Sequence, residues 1–243
     1  MTIAAIVQAR MSSTRLPGKV MKPILGKPML AYQIERLKRA HSISNLIIAT
    51  STQPEDTVIA DLAATLGVDC FRGSLSDVLD RYVGAARTVN PDHVLRTTAD
   101  CPIIDPDVLD SVCALHVADN ADYTTNNMPP SWPHGLDLEV IRMDCLEQAW
   151  RESESPYDRE HVTPFIRERP SRFKIANFAS PKDFSYHRWT VDEPEDFELA
   201  QQIYEGLYPS SPKFSTRDVL DFLGVHPEIS ALNRKFAHSS PAR

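Results

Sequence analysis

Short apolar runs alternate along this chain with segments whose apolar residues recur at helical spacing. Residues 3–8 and 45–50 are largely apolar runs of strand length, and residues 93–98 (HVLRTT) are predicted to form the next strand. Between the first two, Leu30, Ile34 and Leu37 follow the spacing of one helix face, just after Pro28. Strands that alternate with helices are joined by crossovers, which build a largely parallel sheet. The sequence therefore predicts an α/β fold with a mixed, mostly parallel central sheet flanked by helices.

The same rhythm continues and then loosens beyond about residue 120. Asp105 and Pro106 have the residue types of a helix N-cap and first helical position, and Ser76 is expected to cap another helix. The remaining predicted elements are helices at 55–66, 76–89, after Asp144, 159–168, 194–207, 216–223 and 227–236, and strands at 68–71, 137–142, 173–178 and 188–191. We expect one domain over residues 1–236, with halves 1–120 and 121–236, and a disordered tail at 237–243.

Composition argues against several classes of protein. With 26 Lys and Arg against 33 Asp and Glu, the net charge of −7 is unsuited to a general nucleic-acid binder. No apolar run approaches the ~20 residues that span a bilayer, and Met1 leads into a short apolar segment without the features of a signal peptide. The four cysteines form no CxxC pair, which argues against a zinc site or a disulfide framework. We expect a cytoplasmic protein with no membrane or nucleic-acid partner.

The positive charge is concentrated at the start of the chain. Residues 1–34 contain five basic residues and no acidic one. Two of them, Arg15 and Lys19, lie in a loop of roughly 20 residues after the first strand, which is long for a compact domain unless it is functional. Small residues at 12–14 would let backbone amides approach phosphate oxygens, and the two cations, on an exposed loop, would bind a triphosphate. The alternative is a solvated basic loop that contacts nothing.

The stretch IVQARMSSTRLPGKVMKPILGKPML resembles the nucleotide-binding signature of the cytidylyltransferases that activate 3-deoxy-manno-octulosonate and acylneuraminate. It looks closest to their SpsF-like (spore coat polysaccharide biosynthesis) relatives. The resemblance continues through FRGSLSDVLDRY, RTTADCPIIDPDV, HGLDLEV, REHVTPFI and RWTVDEPEDFELA, and so covers nearly the whole chain. It implies a GT-A-like, Rossmann-type nucleotide-diphospho-sugar transferase fold, CTP as the donor, Mg²⁺ as the cofactor and a homodimer.

Family roles can be transferred to the matching positions. The resemblance implies a nucleotide-binding half at 1–120, with an acceptor-binding and dimerisation half at 121–236. In the first half it places the Ala9 backbone near the base, and Arg72 and Gly73, in the FRG turn, near the base and ribose. The residues implied to bind the triphosphate are Arg10, Ser13, Arg15 and Lys19, and those implied to be catalytic are Lys19, Arg15 and Asp100.

Two aspartates match the family's metal ligands. Asp100 follows the strand at 93–98, where an acid facing a triphosphate could hold Mg²⁺, although Cys101 replaces the family's acidic neighbour. Asp192 matches the second ligand. The alternatives are that Asp100 caps a turn before Pro102, and that Asp192 begins a capped helix. One shared ion would require carboxylates about 4 to 7 Å apart.

Polar residues in the second half are the candidates for an acceptor site, below a proline-bearing loop at 126–134. The alternative is that they are ordinary surface or core residues. The candidates are His134, Asp137, Glu139, Arg159, Glu160, His161 and Arg188.

By this resemblance, the chain is expected to attach CMP from CTP to a small acidic sugar or similar anionic acceptor, in surface polysaccharide biosynthesis, with release of pyrophosphate. One alternative is a GT-A glycosyltransferase that uses a nucleotide sugar, although the sequence after the strand at 93–98 is DCP rather than the DxD of those enzymes. The other is a non-catalytic nucleotide-binding protein.

Overall fold

A computed structural model describes residues 1–237, in which strands and helices alternate. The strands are β1 (Ile3–Gln8), β2 (Pro23–Ile24), β3 (Lys27–Pro28), β4 (Asn45–Ser51), β5 (Asp69–Gly73), β6 (His93–Thr98), β7 (Tyr123–Thr125), β8 (Glu139–Arg142) and β9 (Ile175–Asn177). The helices are α1 (Met29–Leu37), α2 (Thr57–Thr65), α3 (Val78–Arg87), α4 (Pro106–Ala118), α5 (Met143–Glu152), α6 (Pro156–His161), α7 (Pro164–Arg167), α8 (Pro194–Leu207), α9 (Thr216–Val225) and α10 (Pro227–Ala231).

Seven strands form one sheet in the order β5-β4-β1-β6-β8-β7-β9. Pairing is parallel between β5, β4, β1 and β6 and between β7 and β9, whereas β8 runs antiparallel to both of its neighbours. The strands β2 and β3 form a separate hairpin. The predicted α/β fold with a mixed, mostly parallel sheet is confirmed. The sheet draws strands from both sides of residue 120.

Helices cover both faces of the sheet because the central strands are apolar on both sides. On one face, Ala5 and Val7 of β1 pack with residues of α1, α2 and α4. On the other face, Ile6 packs with residues of α3, α5 and α7. A third apolar cluster joins α8 and α9 to α1 around Trp189 and Tyr204. Burial on both faces explains why these strands read as continuous apolar runs.

Several helix starts follow from local capping chemistry. Asp105 caps α4 by accepting a hydrogen bond from the backbone N–H of Asp107 at 2.9 Å, as the sequence predicts. At α3 the prediction of a Ser76 cap is wrong, because the capping side chain is that of Asp77, which accepts from the Asp80 N–H at 2.9 Å.

Two other predicted helices differ from the structure. The helix expected at 159–168 is two short helices, α6 and α7, because Val162 takes a positive φ of 73° and breaks the first. The helix expected at 227–236 ends at Ala231, before a 3-10 turn at Arg234–Phe236. The tail from residue 238 lies outside the described residues.

The strand expected at 188–191 is absent from the described chain, where this segment makes only one bridge, between Arg188 and His134. Its backbone N–H groups are divided between two separate acceptors. Trp189 and Thr190 donate to the carbonyl of His134, while Val191 donates to the carbonyl of Asp100. The segment therefore joins two loops rather than extending the sheet.

Two features of the fold bear on the site. In the parallel register Gln8 lies opposite both Ala49 and Thr98, so the loops after β1, β4 and β6 emerge at the same edge of the sheet. Ligands of open α/β sheets bind beyond this edge. Among residues 1–237 no helix is long and apolar enough to cross a membrane.

Candidate active site

A cavity of about 1080 Å³ opens at the carboxyl edge of the strands, with walls from both halves of the chain. One wall carries Arg10, Ser13, Arg15 and Lys19 from the loop after β1, with Asp100 and Asp192 beside them. The opposite wall carries His134, Asp137, Glu139, Glu160 and His161. The loop at 126–134 contributes Met128 and Trp132 to the lining. Most of the side chains singled out in the sequence thus converge on one space.

Lys19 is the most buried cation of the first wall. It begins a 3-10 turn after Gly18, whose positive φ of 67° turns the loop back toward the sheet. Its Nζ donates to the carbonyl oxygen of Val191 at 2.7 Å, to Asp192 Oδ1 at 2.9 Å and to Asp100 Oδ2 at 3.1 Å. Only 8% of the residue is exposed, so the expectation that it lies on an exposed loop is wrong. Burial disfavours its charge, but the two carboxylates raise the pKa of Lys19 above its ordinary value.

Arg15 matches the expectation of an exposed cation, with 52% of its side chain accessible. One guanidinium nitrogen lies 3.0 Å from Asp192 Oδ1 and the other lies 3.3 Å from Glu193 Oε1. The loop cations are therefore partly compensated by acids of the segment before α8.

Both carboxylate oxygens of Asp192 contact basic side chains. Arg188 donates to Asp192 Oδ2 at 3.0 Å and grips Asp196 with the same guanidinium, while Lys19 and Arg15 contact Oδ1. Burial and the nearby Asp100 disfavour its charge, yet Lys19 and Arg15 keep the pKa of Asp192 below its ordinary value. Asp192 is thus ionised at neutral pH.

The capping role considered for Asp192 belongs to its neighbours. The N-cap of α8 is Glu193, and Asp196 accepts hydrogen bonds from the backbone N–H groups of Asp192 and Glu193, each at 3.0 Å. The Asp192 carboxylate is directed instead toward Lys19, Arg15 and Arg188.

The carboxylates of Asp100 and Asp192 fit a divalent cation. Both reach the same Lys19 nitrogen, so their facing oxygens are separated by no more than the sum of 3.1 and 2.9 Å. Magnesium usually takes only one or two protein carboxylates and completes its shell with water and phosphate oxygens. Among residues 1–237 no group of three or more His, Cys, Asp or Glu side chains is arranged around a metal position. A cation bound here would therefore rely on this pair.

The structure does not bring Arg72 and Gly73 to the cavity wall. Arg72 donates to the carbonyl oxygens of Ser51 at 2.9 Å and Gln53 at 2.8 Å, so it braces the loop after β4. A Cβ on Gly73 would lie 3.0 Å from the Phe71 ring and 3.1 Å from Arg81, so close packing accounts for this glycine. Ala9 is buried and donates its N–H to Ala49, beside the cavity lining.

Two predicted acceptor residues also lie away from the wall. Arg159 donates to the Asp77 carboxylate at 2.5 and 2.9 Å and to the carbonyl of Trp150, which ties α6 to the start of α3. Arg188 is buried between Asp192 and Asp196. Its guanidinium positions Asp192 rather than facing the cavity.

The chain matches a family model described as Cytidylyltransferase over residues 4–218. It belongs to the cytidylyltransferase family. The spore coat polysaccharide biosynthesis protein SpsF of Bacillus subtilis is 32% identical over 240 residues, which cover 94% of this chain and 96% of SpsF. A cytidylyltransferase structure from Leptospira borgpetersenii shares 33% identity and a TM-score of 0.90, with 94% of this chain and 96% of that one covered.

A structure with lower sequence identity has the same fold. The CMP-2-keto-3-deoxy-manno-octonic acid synthetase, solved with CTP, superposes with a TM-score of 0.66 at 18% identity, over 85% of this chain and 99% of that one. The expected resemblance to cytidylyltransferases and to the fold of this synthetase is confirmed.

In this cytidylyltransferase the second wall is built on a buried polar cluster around Glu139. Its carboxylate accepts hydrogen bonds from Tyr123 at 2.5 Å, from Thr163 at 2.7 Å and from Arg96. Burial disfavours the charge, but Arg96 and the two hydroxyls hold the pKa of Glu139 below its ordinary value. A carboxylate with so many donors is fixed in position. Glu139 is suited to orienting Arg96 and Thr163, which also line the cavity.

His134 and Asp137 form a tight turn on the same wall. Asp137 accepts from the Gly135 N–H at 3.0 Å and from the Asn127 side chain at 3.2 Å, and its carboxylate lies 3.5 Å from His134 Nε2. Gly135 has φ 113°, and its Cα packs directly on the backbone of residues 189 and 190. This contact connects the second wall to the segment that carries Asp192.

Several residues of the cavity wall are not predicted as site residues from the sequence. Arg96 nonetheless leaves a signal in the sequence, because a charged residue within a predicted central strand needs a buried partner. The family motif REHVTPFI contains Thr163, but nothing local marks it as polar lining. Arg167 and Asn127 also line the cavity and carry no distinguishing pattern. Their place depends on the packing of α7 and of the loop at 126–134.

Proposed function

We propose that the protein transfers CMP from CTP to a small anionic acceptor, such as an acidic sugar, with release of pyrophosphate. The observation that carries this proposal is the convergence of Lys19, Asp100 and Asp192 beneath a basic loop, in a cavity whose second wall can receive another molecule. Membership of the cytidylyltransferase family supports it. The name of the Bacillus subtilis relative supports a role in surface polysaccharide biosynthesis.

The reaction follows from these positions. An acceptor hydroxyl oxygen attacks the α-phosphorus of CTP and loses its proton to solvent. The bond from that phosphorus to the bridging oxygen breaks, and pyrophosphate leaves with the bonding electron pair. Arg10, Ser13, Arg15 and Lys19 line the wall where the triphosphate lies, and their charges and N–H groups orient it. Asp100 and Asp192 would hold Mg²⁺, which when bound neutralises charge on the phosphate oxygens.

The acceptor lies against the second wall in this proposal. His134, Asp137, Glu160 and His161 offer polar groups there, while Glu139 holds Arg96 and Thr163 in place. The proposal needs no covalent intermediate, because one cavity carries both walls and the acceptor can react with CTP directly. Cys101 is buried beside Asp100, consistent with a packing role rather than that of a nucleophile.

We also propose that the chain acts as one domain and as a homodimer, with contacts from residues 121–236. Support comes from the family resemblance. Sedimentation at micromolar concentration should give about twice the 27.3 kDa chain mass. A mass of one chain would contradict the dimer.

The function can be tested first by nucleotide choice. Thermal unfolding in Mg²⁺ with each of the four nucleoside triphosphates should show the largest stabilisation with CTP, since a ligand at ~100 times its dissociation constant adds about 2.7 kcal/mol. Reactions with acidic sugars should then release pyrophosphate. Release of a nucleoside diphosphate from a nucleotide sugar would support a glycosyltransferase, and binding without turnover of any acceptor would support a non-catalytic protein.

A further inference from the structure

The ammonium group of Lys19 has no capacity left for a phosphate. A lysine ammonium has three N–H donors. Three protein oxygens lie within 3.1 Å of Nζ, belonging to Val191, Asp192 and Asp100. In this state Lys19 cannot make the phosphate contact that the basic loop predicts for it unless it gives up at least one of these bonds.

Lys19 Nζ occupies the position between Asp100 and Asp192 that a divalent cation bound to this carboxylate pair would need. The Asp100 and Asp192 oxygens that receive Lys19 are the facing oxygens of the carboxylate pair. The side chains are only 13% and 6% exposed, and two buried carboxylates without a cation would repel each other at high cost. Arg15 and Arg188 also contact Asp192, but Lys19 lies within 3.1 Å of both carboxylates, so its charge compensates the pair when no metal is present.

We propose that Lys19 is the resident counter-ion of this pair, and that a divalent cation arriving with the nucleotide displaces it. The released ammonium then turns to the triphosphate. The displacement is a property of the chain's own residues. The arrival of the cation with a nucleotide and the destination of the released ammonium rest on the proposed function.

The surrounding contacts permit such an exchange. Arg188 binds Asp192 through Oδ2, whereas Lys19 and Arg15 use Oδ1. The carboxylate can therefore keep its orientation on Arg188 while Oδ1 changes partner. The long, flexible lysine side chain can move its head group without moving the backbone of the 3-10 turn.

The exchange makes metal binding and nucleotide binding mutually dependent. A free cation must compete with a buried ammonium, so the nucleotide-free protein should bind it weakly. A nucleotide that offers phosphate oxygens to the released Lys19 favours the metal, and by thermodynamic reciprocity the metal favours the nucleotide to the same extent.

Binding of Mn²⁺ in the absence of nucleotide, measured by electron paramagnetic resonance, tests the exchange. We compare wild type, Lys19→Met, which removes the charge at similar length, and Lys22→Met, which makes the same charge change on a nearby lysine stacked over Phe197. Lys19→Met should bind Mn²⁺ at least tenfold more tightly than wild type, and Lys22→Met should match wild type. Equal or weaker binding by folded Lys19→Met would overturn the proposal.

Two further variants complete the test. If Lys19→Met fails to fold, Lys19→Gln addresses the same question, because its amide can still donate to a carboxylate but carries no charge. Adding Asp192→Asn to the tighter-binding variant should abolish the gain, and a gain that persists would place the ion elsewhere and overturn the proposal. Because CTP is absent, failure of this test is distinct from failure of the proposed transfer reaction, which is scored by its products.

Discussion

Val191 donates its backbone N–H to the carbonyl oxygen of Asp100 at a distance of 2.8 Å. This hydrogen bond joins the loop after β6 to the segment before α8. Because Asp192 follows Val191, the bond sets its carboxylate beside that of Asp100, with Lys19 Nζ between them. The site that we propose for a metal and a triphosphate is therefore assembled by backbone pairing between distant parts of the chain.

Lys19 and Arg15 should differ in their effect on stability. Lys19→Ala leaves two buried carboxylates without their shared cation and should lower the free energy of unfolding by about 3–5 kcal/mol. Arg15→Ala removes an exposed ion pair and should cost less than about 1 kcal/mol. Both should weaken CTP binding. Urea denaturation with calorimetry separates the two effects, and equal losses of stability would contradict the burial of Lys19.

Gly135 should tolerate no side chain. A Cβ there would lie 2.4 Å from the Thr190 nitrogen and 2.6 Å from the Trp189 carbonyl carbon, at a φ of 113°. Gly135→Ala should destabilise the protein by about 3 kcal/mol or more. Gly67→Ala is the matched control, because Gly67 also has positive φ but no atom within 4 Å of the added carbon, so it should cost only about 1 to 2 kcal/mol. Equal thermal shifts in the two variants would show that the contact with residues 189 and 190 is unimportant.

Asp56 should position the loop after β1 without itself contacting a nucleotide. Its buried carboxylate accepts the backbone N–H of Met11 at 2.6 Å and the hydroxyl of Ser51, which fixes the loop where it leaves β1. Asp56→Ala should weaken CTP binding about tenfold and cost about 1–3 kcal/mol of stability, since a donor is left unsatisfied. The exposed neighbour Glu55→Ala is the control. Calorimetric titration that finds unchanged CTP affinity in Asp56→Ala would contradict this role.

His116 should make the fold less stable in mild acid. It is buried against His93 and Thr124, and burial followed by the charge of His93 lowers the pKa of His116 from 6.5 to about 4. An unfolded chain takes up the proton first as pH falls, so stability is full above 6.5 and is lost progressively between 6.5 and about 4.

The pH dependence can be assigned to His116 by substitution. Urea denaturation of wild type and His116→Gln should show a smaller acid-induced loss of unfolding free energy in the variant over that interval. The exposed His41→Gln should follow wild type. A loss of the same size in His116→Gln would show that other groups are responsible.

Local patterns are enough to predict the sheet and many helix starts. A continuous apolar run identifies β1 because both faces of the sheet are covered there, and Asp105 signals the start of α4 through its own capping bond. The prediction of a strand at 188–191 is wrong, because this segment forms a contact between two loops. Its partners cannot be read from neighbouring residues.

The sequence predicts which residues form the site better than it predicts how they contact one another. Charge and the family motifs find Arg15, Lys19, Asp100 and Asp192, which the structure brings together. They do not reveal that Lys19 is buried, because the carboxylates that surround it lie 81 and 173 residues away in sequence. The sequence likewise predicts that Arg188 binds an acceptor, because the residues around it do not reveal that it pairs with Asp196 of α8.

The most direct test of the proposed reaction is to follow the α-phosphorus of CTP. CTP radiolabelled at that position is incubated with the protein, Mg²⁺ and a panel of acidic sugars, and the products are separated by chromatography. We expect the label to move to a CMP-sugar adduct while unlabelled pyrophosphate is released. We also expect Asp100→Asn, which keeps the shape of the side chain, to abolish the transfer. Label that remains in CTP with every acceptor, or an Asp100→Asn variant as active as wild type, would contradict the proposed reaction.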